Sequence, residues 1–300
     1  MRLTRGVCMM VLLWGAVLPG PGRAEAGGGA RATSTTLENG LTLTAPGESP
    51  LVLVQLPGFD GRLNLLAPEV VSDQTDRRIY LDSHSTAVAW REREAGGLIS
   101  SRQEDGIGSY TLALLPAADG VLIDWRITNL GEITWPYGAG TLCLQNHDLP
   151  AFYDPTETRS MIHAEDGWRA IADSVERIGT NWLIPPWHRP CGVMQYMLDH
   201  NTYQQGIARP DLGLVGLVSA AGGHVIGMGW PEVRYINANT GYGRGSSRHA
   251  CLDASPYLGD VRAGKTVHVT GKLYFIAGGI EELEAHYRAD LADGVVMFEP

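Results

Sequence analysis

Two stretches of alternation constrain this chain more than any other feature. Val121, Ile123, Trp125 and Ile127 alternate with Leu122, Asp124, Arg126 and Thr128, and the run stops at the turn signal Asn129-Leu130-Gly131. Near the end, Val267, Val269, Leu273 and Phe275 alternate with Thr266, His268, Thr270, Lys272 and Tyr274. Successive side chains of a strand point to opposite faces, so each pattern predicts a strand with one face buried and the other wet. Shorter apolar runs at 51–56, 110–115 and 212–218 are bounded by Gly, Pro, Asp or Asn. With 38 glycines, 17 prolines and 19% charged residues, the composition speaks for turns between many strands and against long helical bundles. The expected class is all-β, a sandwich or a barrel.

Helix is expected only at 280–291, where Ile280, Leu283, Tyr287 and Leu291 share one face and Glu281, Glu282 and Glu284 sit near the positive N-terminal end. No Pro/Ser-rich linker and no internal repeat divides the chain, so residues 27–300 are expected to form a single β-sandwich domain. Residues 1–26 read as a signal peptide: Arg2 and Arg5 precede an apolar stretch at 7–18, and Ala24-Glu25-Ala26 supplies a small-x-small cleavage pattern. The apolar stretch is short for a membrane span and is broken by Pro19-Gly20-Pro21. The expected location is therefore secreted or periplasmic, with no membrane contact after cleavage.

A formal net charge of −10, with Lys265 and Lys272 the only lysines and the arginines scattered, leaves no basic footprint for a nucleic acid. Cys143, Cys191 and Cys251 follow the leader with no CxxC spacing, which removes zinc ribbons and thioredoxin-like chemistry. One disulfide among them is permitted in an oxidising compartment, and buried free thiols are an equal alternative. HExxH, GxSxG and the Walker pattern are absent, and no cofactor or metal is expected.

Three stretches join a titratable group to a strand end or loop: Asn146-His147-Asp148, Leu198-Asp199-His200-Asn201 and Cys251-Leu252-Asp253. Two imidazoles and a carboxylate can move protons on a hydroxyl, the carboxylate accepting one and an imidazole donating one at the other end of the reacting bond. For each histidine alone, a hydrogen-bonded structural side chain is the competing reading. The second half of the chain also mixes aromatic and polar groups at Trp187, His188, Tyr196, Trp230, Glu232, Arg234, Tyr235, Asn237 and Asn239. Sugar C–H faces pack on aromatic rings while hydroxyls pair with amides, carboxylates and guanidinium groups, although Trp and Tyr are also common core residues.

The order of these stretches resembles that of the galactose mutarotase (aldose 1-epimerase) superfamily, as a distant member. Here residues 123–129 lead to Asn146-His147, then Leu198-Asp199-His200, then Cys251-Leu252-Asp253 before Ala263-Gly264-Lys265 and Leu273-Tyr274-Phe275. The resemblance implies a large antiparallel β-supersandwich whose concave face binds a sugar. It implies that His147 helps hold the sugar, that His200 gives a proton to the ring oxygen, and that Asp253 stands where the family has its glutamate base. Asp253 is one methylene shorter than that glutamate.

The leading expectation is a secreted carbohydrate-active enzyme of isomerase, glycoside hydrolase or polysaccharide lyase type. Catalysis would rest on His147, His200 and Asp253, with Trp187, His188, Tyr196, Glu232, Arg234, Asn237 and Asn239 binding the substrate. The shorter Asp253 favours the alternative, a noncatalytic glycan-binding module of the same fold. A metal-dependent hydrolase built on His147, His200 and Asp253 lacks any supporting local spacing.

Overall fold

The computed structural model describes residues 32–72, 79–82, 87–176, 182–185, 204–240 and 250–300. Among these, twenty strands pair into two sheets of ten. The front sheet runs β1 (Thr33–Thr36), β2 (Thr42–Ala45), β3 (Leu51–Gln55), β4 (Leu63–Ser72), β10 (Trp135–Gln145), β18 (Ala250–Val261), β17 (Val233–Thr240), β13 (Trp182–Ile184) and β14 (Gln204–Gln205), with β5 (Ile79–Asp82) beside β4. The back sheet runs β12 (Gly167–Ala170), β11 (Ser160–Ala164), β15 (Pro210–Val218), β16 (His224–Gly229), β19 (Thr266–Ala277), β9 (Gly120–Asn129), β8 (Gly108–Ala117), β7 (Leu98–Glu104) and β6 (Trp90–Glu92), with β20 (Met297–Glu299) beside β19. All pairings are antiparallel except β13 with β14. The alternation left an all-β sandwich or barrel open; the observed architecture is an antiparallel sandwich of two large sheets, as the resemblance implied.

Alternation decides which side chains fill the space between the sheets. Val121, Ile123, Trp125 and Ile127 of β9 are at most 1% exposed, and they meet Leu142, Leu144 and Leu252 of the front sheet in one cluster. Two glycines make room for core tryptophans. A Cβ on Gly140 would lie 2.3 Å from the Trp125 ring, and one on Gly271 would lie 2.3 Å from the Trp230 ring. Trp230, read from the sequence as part of a sugar-binding mixture, is fully buried core.

The other face of β19 is not wet as the alternation suggested. Helix α1 (Ile280–Ala292), at the expected place, lies over it with the segment that follows, and Thr270, Lys272 and Tyr274 are all at most 5% exposed. Burial of the Lys272 ammonium requires partners, and it has two: Asp119 Oδ1 at 2.5 Å and Asp290 Oδ2 at 2.8 Å. Asp290 of α1 also accepts the Tyr274 hydroxyl at 2.8 Å, and His286 reaches Asp119 at 2.7 Å. Beneath this cluster Ile280, Leu283 and Tyr287 pack on Leu214, Val225 and Ile276.

Burial alone would raise the Asp119 carboxyl, but its bonds from Lys272 and His286 and the Lys272 charge outweigh burial and hold it below the usual range. A depressed carboxyl contributes stability above its unfolded pKa and loses it as pH falls through the folded value. Lys272→Ala should therefore cost about 3–5 kcal/mol at pH 7, because two carboxylates lose their cation. The gap from wild type should narrow below about pH 4. Urea midpoints at pH 7, 5 and 3 check this.

Candidate functional site

The central strands of the front sheet have an inner face of Leu142, Leu144, Ile236, Leu252, Ala254 and Leu258, each at most 1% exposed. The period of two then turns Thr141, Cys143 and Gln145 of β10, Tyr235 and Asn237 of β17, and Cys251, Asp253 and Ser255 of β18 to the outer face. Register sets Tyr235 opposite Ser255, Asn237 opposite Asp253, and Asn239 opposite Cys251. On the other side, Gln145 is opposite Cys251, and the unbroken register from Ala139↔Tyr257 to Leu144↔Leu252 sets Cys143 opposite Asp253. An outer sheet face is normally solvated, yet Asp253 is 2% and Ser255 0% exposed.

Buried polar groups must find partners, and most of these find one another. Asp253 Oδ1 accepts the Leu144 N–H at 3.1 Å and Oδ2 accepts the Asn237 amide at 3.2 Å. The Thr141 hydroxyl lies 3.1 Å from that of Tyr235 and accepts from Ser255 at 3.4 Å. The sulfurs of Cys143 and Cys251 are 3.0 Å apart. At one end of the face, beyond β10, Asn64 donates to Asp148 Oδ2 at 2.9 Å, and His147 Nε2 stands 3.6 Å from the same oxygen. At the other end the Arg234 guanidinium lies 5.7 Å from the Tyr137 ring centre and 6.0 Å from that of Tyr257. A β-bulge in β17 between Val233 and Tyr235 accompanies this placement of Arg234.

Burial, then the charge of Glu69 on β4, push the Asp253 carboxyl well above its usual value, against weaker pulls from Leu144, Cys143 and Asn237. Asp253 is accordingly a neutral acid at and somewhat above the ordinary carboxylate range, a group that can donate a proton. Burial also raises Tyr235 and Glu232 and lowers Arg234. Three side-chain amide oxygens, of Asn64, Asn146 and Asn237, are buried and accept no hydrogen bond.

Of the residues singled out from the sequence, Asn237 and Asp253 are in direct contact, and Asn239 follows in backbone register. Arg234 lies toward one end of β17 and Glu232 directly before that strand, its carbonyl accepting the Tyr257 N–H at 3.0 Å. His147 lies four residues beyond Cys143, up to about 14 Å along the strand from the row holding Asp253. Trp187, His188, Tyr196 and His200 lie outside the described residues. Sequence reasoning missed Glu69, Tyr137, Thr141, Ser255 and Tyr257, and did not join Cys143 to Cys251. For β10 and β18 the signal was present: polar residues at odd numbers interleave with Leu142, Leu144, Leu252, Ala254 and Leu258. Glu69 carries no such signal, because the burial of β4 does not alternate around it. A separate groove of 490 Å³, lined by Gly40, Thr42, Gln55, Leu56, Phe59 and Asp60 among others, shares no residue with this face. Its one titratable side chain offers no acid–base pair.

A carboxyl raised in the folded state makes stability fall as pH rises from the unfolded pKa to the folded one, since only the unfolded chain releases the proton. Asp253→Asn keeps an oxygen for Leu144 and removes that penalty. The variant should gain on wild type from about pH 4 upward, by at most about 1.4 kcal/mol per pH unit. Thermal midpoints between pH 4 and 8 read this directly, and a constant difference would mean an ordinary carboxylate.

No family model and no curated protein matches this chain. Solved structures are similar to it. A galactose mutarotase related enzyme from Lactobacillus acidophilus has 9% identity and a TM-score of 0.47, covering 83% of this chain and 99% of its own. A galactose mutarotase-like protein from Lactobacillus casei has 9% identity and a TM-score of 0.47, with 81% and 100% covered. A galactose mutarotase-like protein from Clostridium acetobutylicum has 8% identity and a TM-score of 0.42, with 83% and 99% covered. At such identities and scores nothing about the chemistry of this chain follows from them.

Proposed function

We propose that this chain binds a carbohydrate on the outer face of the front sheet and acts on it by proton transfer, with Asp253 as the proton-carrying group. One observation carries the reading: a buried acid shares its face with the unpartnered amide oxygens of Asn64, which register sets opposite Gln145, and of Asn237. An unmet acceptor in a buried place is costly, and a polyol supplies hydroxyl donors at close spacing. Arg234 beside Tyr137 and Tyr257 offers ring faces and a cation at one end, and His147 with Asp148 offers hydrogen-bonding groups at the other. Asp253 as acid and Glu69 as the neighbouring carboxylate form a pair suited to epimerisation, glycosidic cleavage or elimination. His200, Trp187, His188 and Tyr196 remain part of the proposal on sequence grounds. So does export, for which the leader-like residues 1–26 are the support. Among the described residues no helix is long and apolar enough to cross a membrane.

The second reading, a noncatalytic glycan-binding module, is favoured by the 2% exposure of Asp253 and the engagement of both its oxygens. Binding of a glycan panel, anomer exchange followed by NMR, reducing-end release and unsaturated-uronate absorbance separate the two. The expected result is turnover in one of the three assays and at least about a 100-fold loss of kcat in Asp253→Asn, with binding retained. Wild-type binding without turnover selects the module. Absence of any glycan binding defeats both readings.

A further inference from the structure

We propose that Cys143 and Cys251 form a reversible disulfide that ties β10 to β18 directly beside Asp253. This inference is independent of what the outer face binds. Cys143 stands across the ladder from Asp253, Cys251 is two residues before Asp253 on the same strand, and the two sulfurs already touch at 3.0 Å. Both are free thiols here, Cys143 buried and Cys251 half-buried. The three donor atoms of Cys143, Cys251 and Asp253 lie within 4.8 Å of one another, so a thiophilic metal is the rival occupant. Two thiolates on a tetrahedral metal at about 2.3 Å per bond keep their sulfurs about 3.8 Å apart. The observed contact is shorter, in the direction of a bond. A disulfide is also neutral, whereas two thiolates and a carboxylate around a divalent cation would leave a net negative charge in a place where burial already opposes ionisation. The Cys143 hydrogen bond pulls the Cys251 thiol down, but burial and the charges of Asp253 and Glu69 outweigh it and push it up to about 11.

The chemistry needs an oxidant, and a small disulfide such as oxidised glutathione supplies it. The half-buried Cys251, as its thiolate, attacks one sulfur of that disulfide and displaces the first thiol. Cys143 then loses its proton and attacks Cys251 Sγ, which displaces the second. The two protons from the cysteines leave on the two released thiols, so the protein is oxidised by two electrons and the small disulfide is reduced by two. Formation of the bond removes a thiol whose sulfur lies within 4.8 Å of an Asp253 carboxylate oxygen. The state of the pair is therefore coupled to the state of the acid.

The test uses the full chain, equilibrated with excess oxidised glutathione or with a phosphine reductant, alkylated under denaturing conditions and digested without reduction. Mass spectrometry should find the peptide of Cys143 joined to that of Cys251 after oxidation and both alkylated after reduction. The oxidised chain should melt about 5 °C or more higher, because the bond closes a long loop. The reading is made on wild type, so it does not depend on a variant folding; Cys143→Ala should abolish the joined peptide and the difference in melting. The proposal is overturned if both cysteines stay alkylated in excess oxidant, or if either pairs instead with Cys191. It is equally overturned if purified chain binds one cobalt(II) with thiolate charge-transfer absorption and resists oxidation.

Discussion

The central strands of the front sheet bury their inner face completely and half-bury their outer one, with Cys143, Asp253 and Ser255 fully buried there, and the organisation of the candidate site depends on that constraint. β10 and β18 must put leucines toward the sandwich core, and the period of two then hands every alternate residue to the outer face. Where that face is buried, at Asp253 and Ser255, the polar side chains cannot rely on water. Asp253 takes the Leu144 N–H and the Asn237 amide, and Thr141, Tyr235 and Ser255 form their own chain. The residue pattern that builds the core thus also assembles the polar layer.

The same burial gives the layer its chemistry. An exposed aspartate would be ionised at neutral pH. Asp253, with no cation acting on it among the described residues and Glu69 acting on it from β4, holds its proton well above the usual range. Lys272 on the back sheet shows the opposite solution. Equally buried, it is matched by Asp119 and Asp290, and the Asp119 carboxyl is held low rather than high. One buried charge is neutralised by partners and fastens a helix; the other is neutralised by its own proton and remains available as an acid.

Much of the fold was legible because two strands advertise their faces. β9 and β19 appear where the alternation of 121–128 and 267–275 requires, paired to each other, and α1 falls where its apolar stripe lies. The solvation of the second face of β19 was misread, since alternation fixes direction and not what lies beyond. Lys272 looked like an exposed lysine until α1 was folded over it.

By itself, the sequence determined the all-β class, the inward faces of the long strands and the presence of acid, amide and aromatic groups in the second half of the chain. Periodicity is a local property, and burying one face of each strand is enough to fix it. Tertiary structure alone decided that Asn237 touches Asp253, that Glu69 from another strand acts on that acid, and that Cys143 meets Cys251 across 108 residues. Register between strands distant in sequence depends on the packing of the whole sandwich, and no local pattern encodes which residue will stand opposite which.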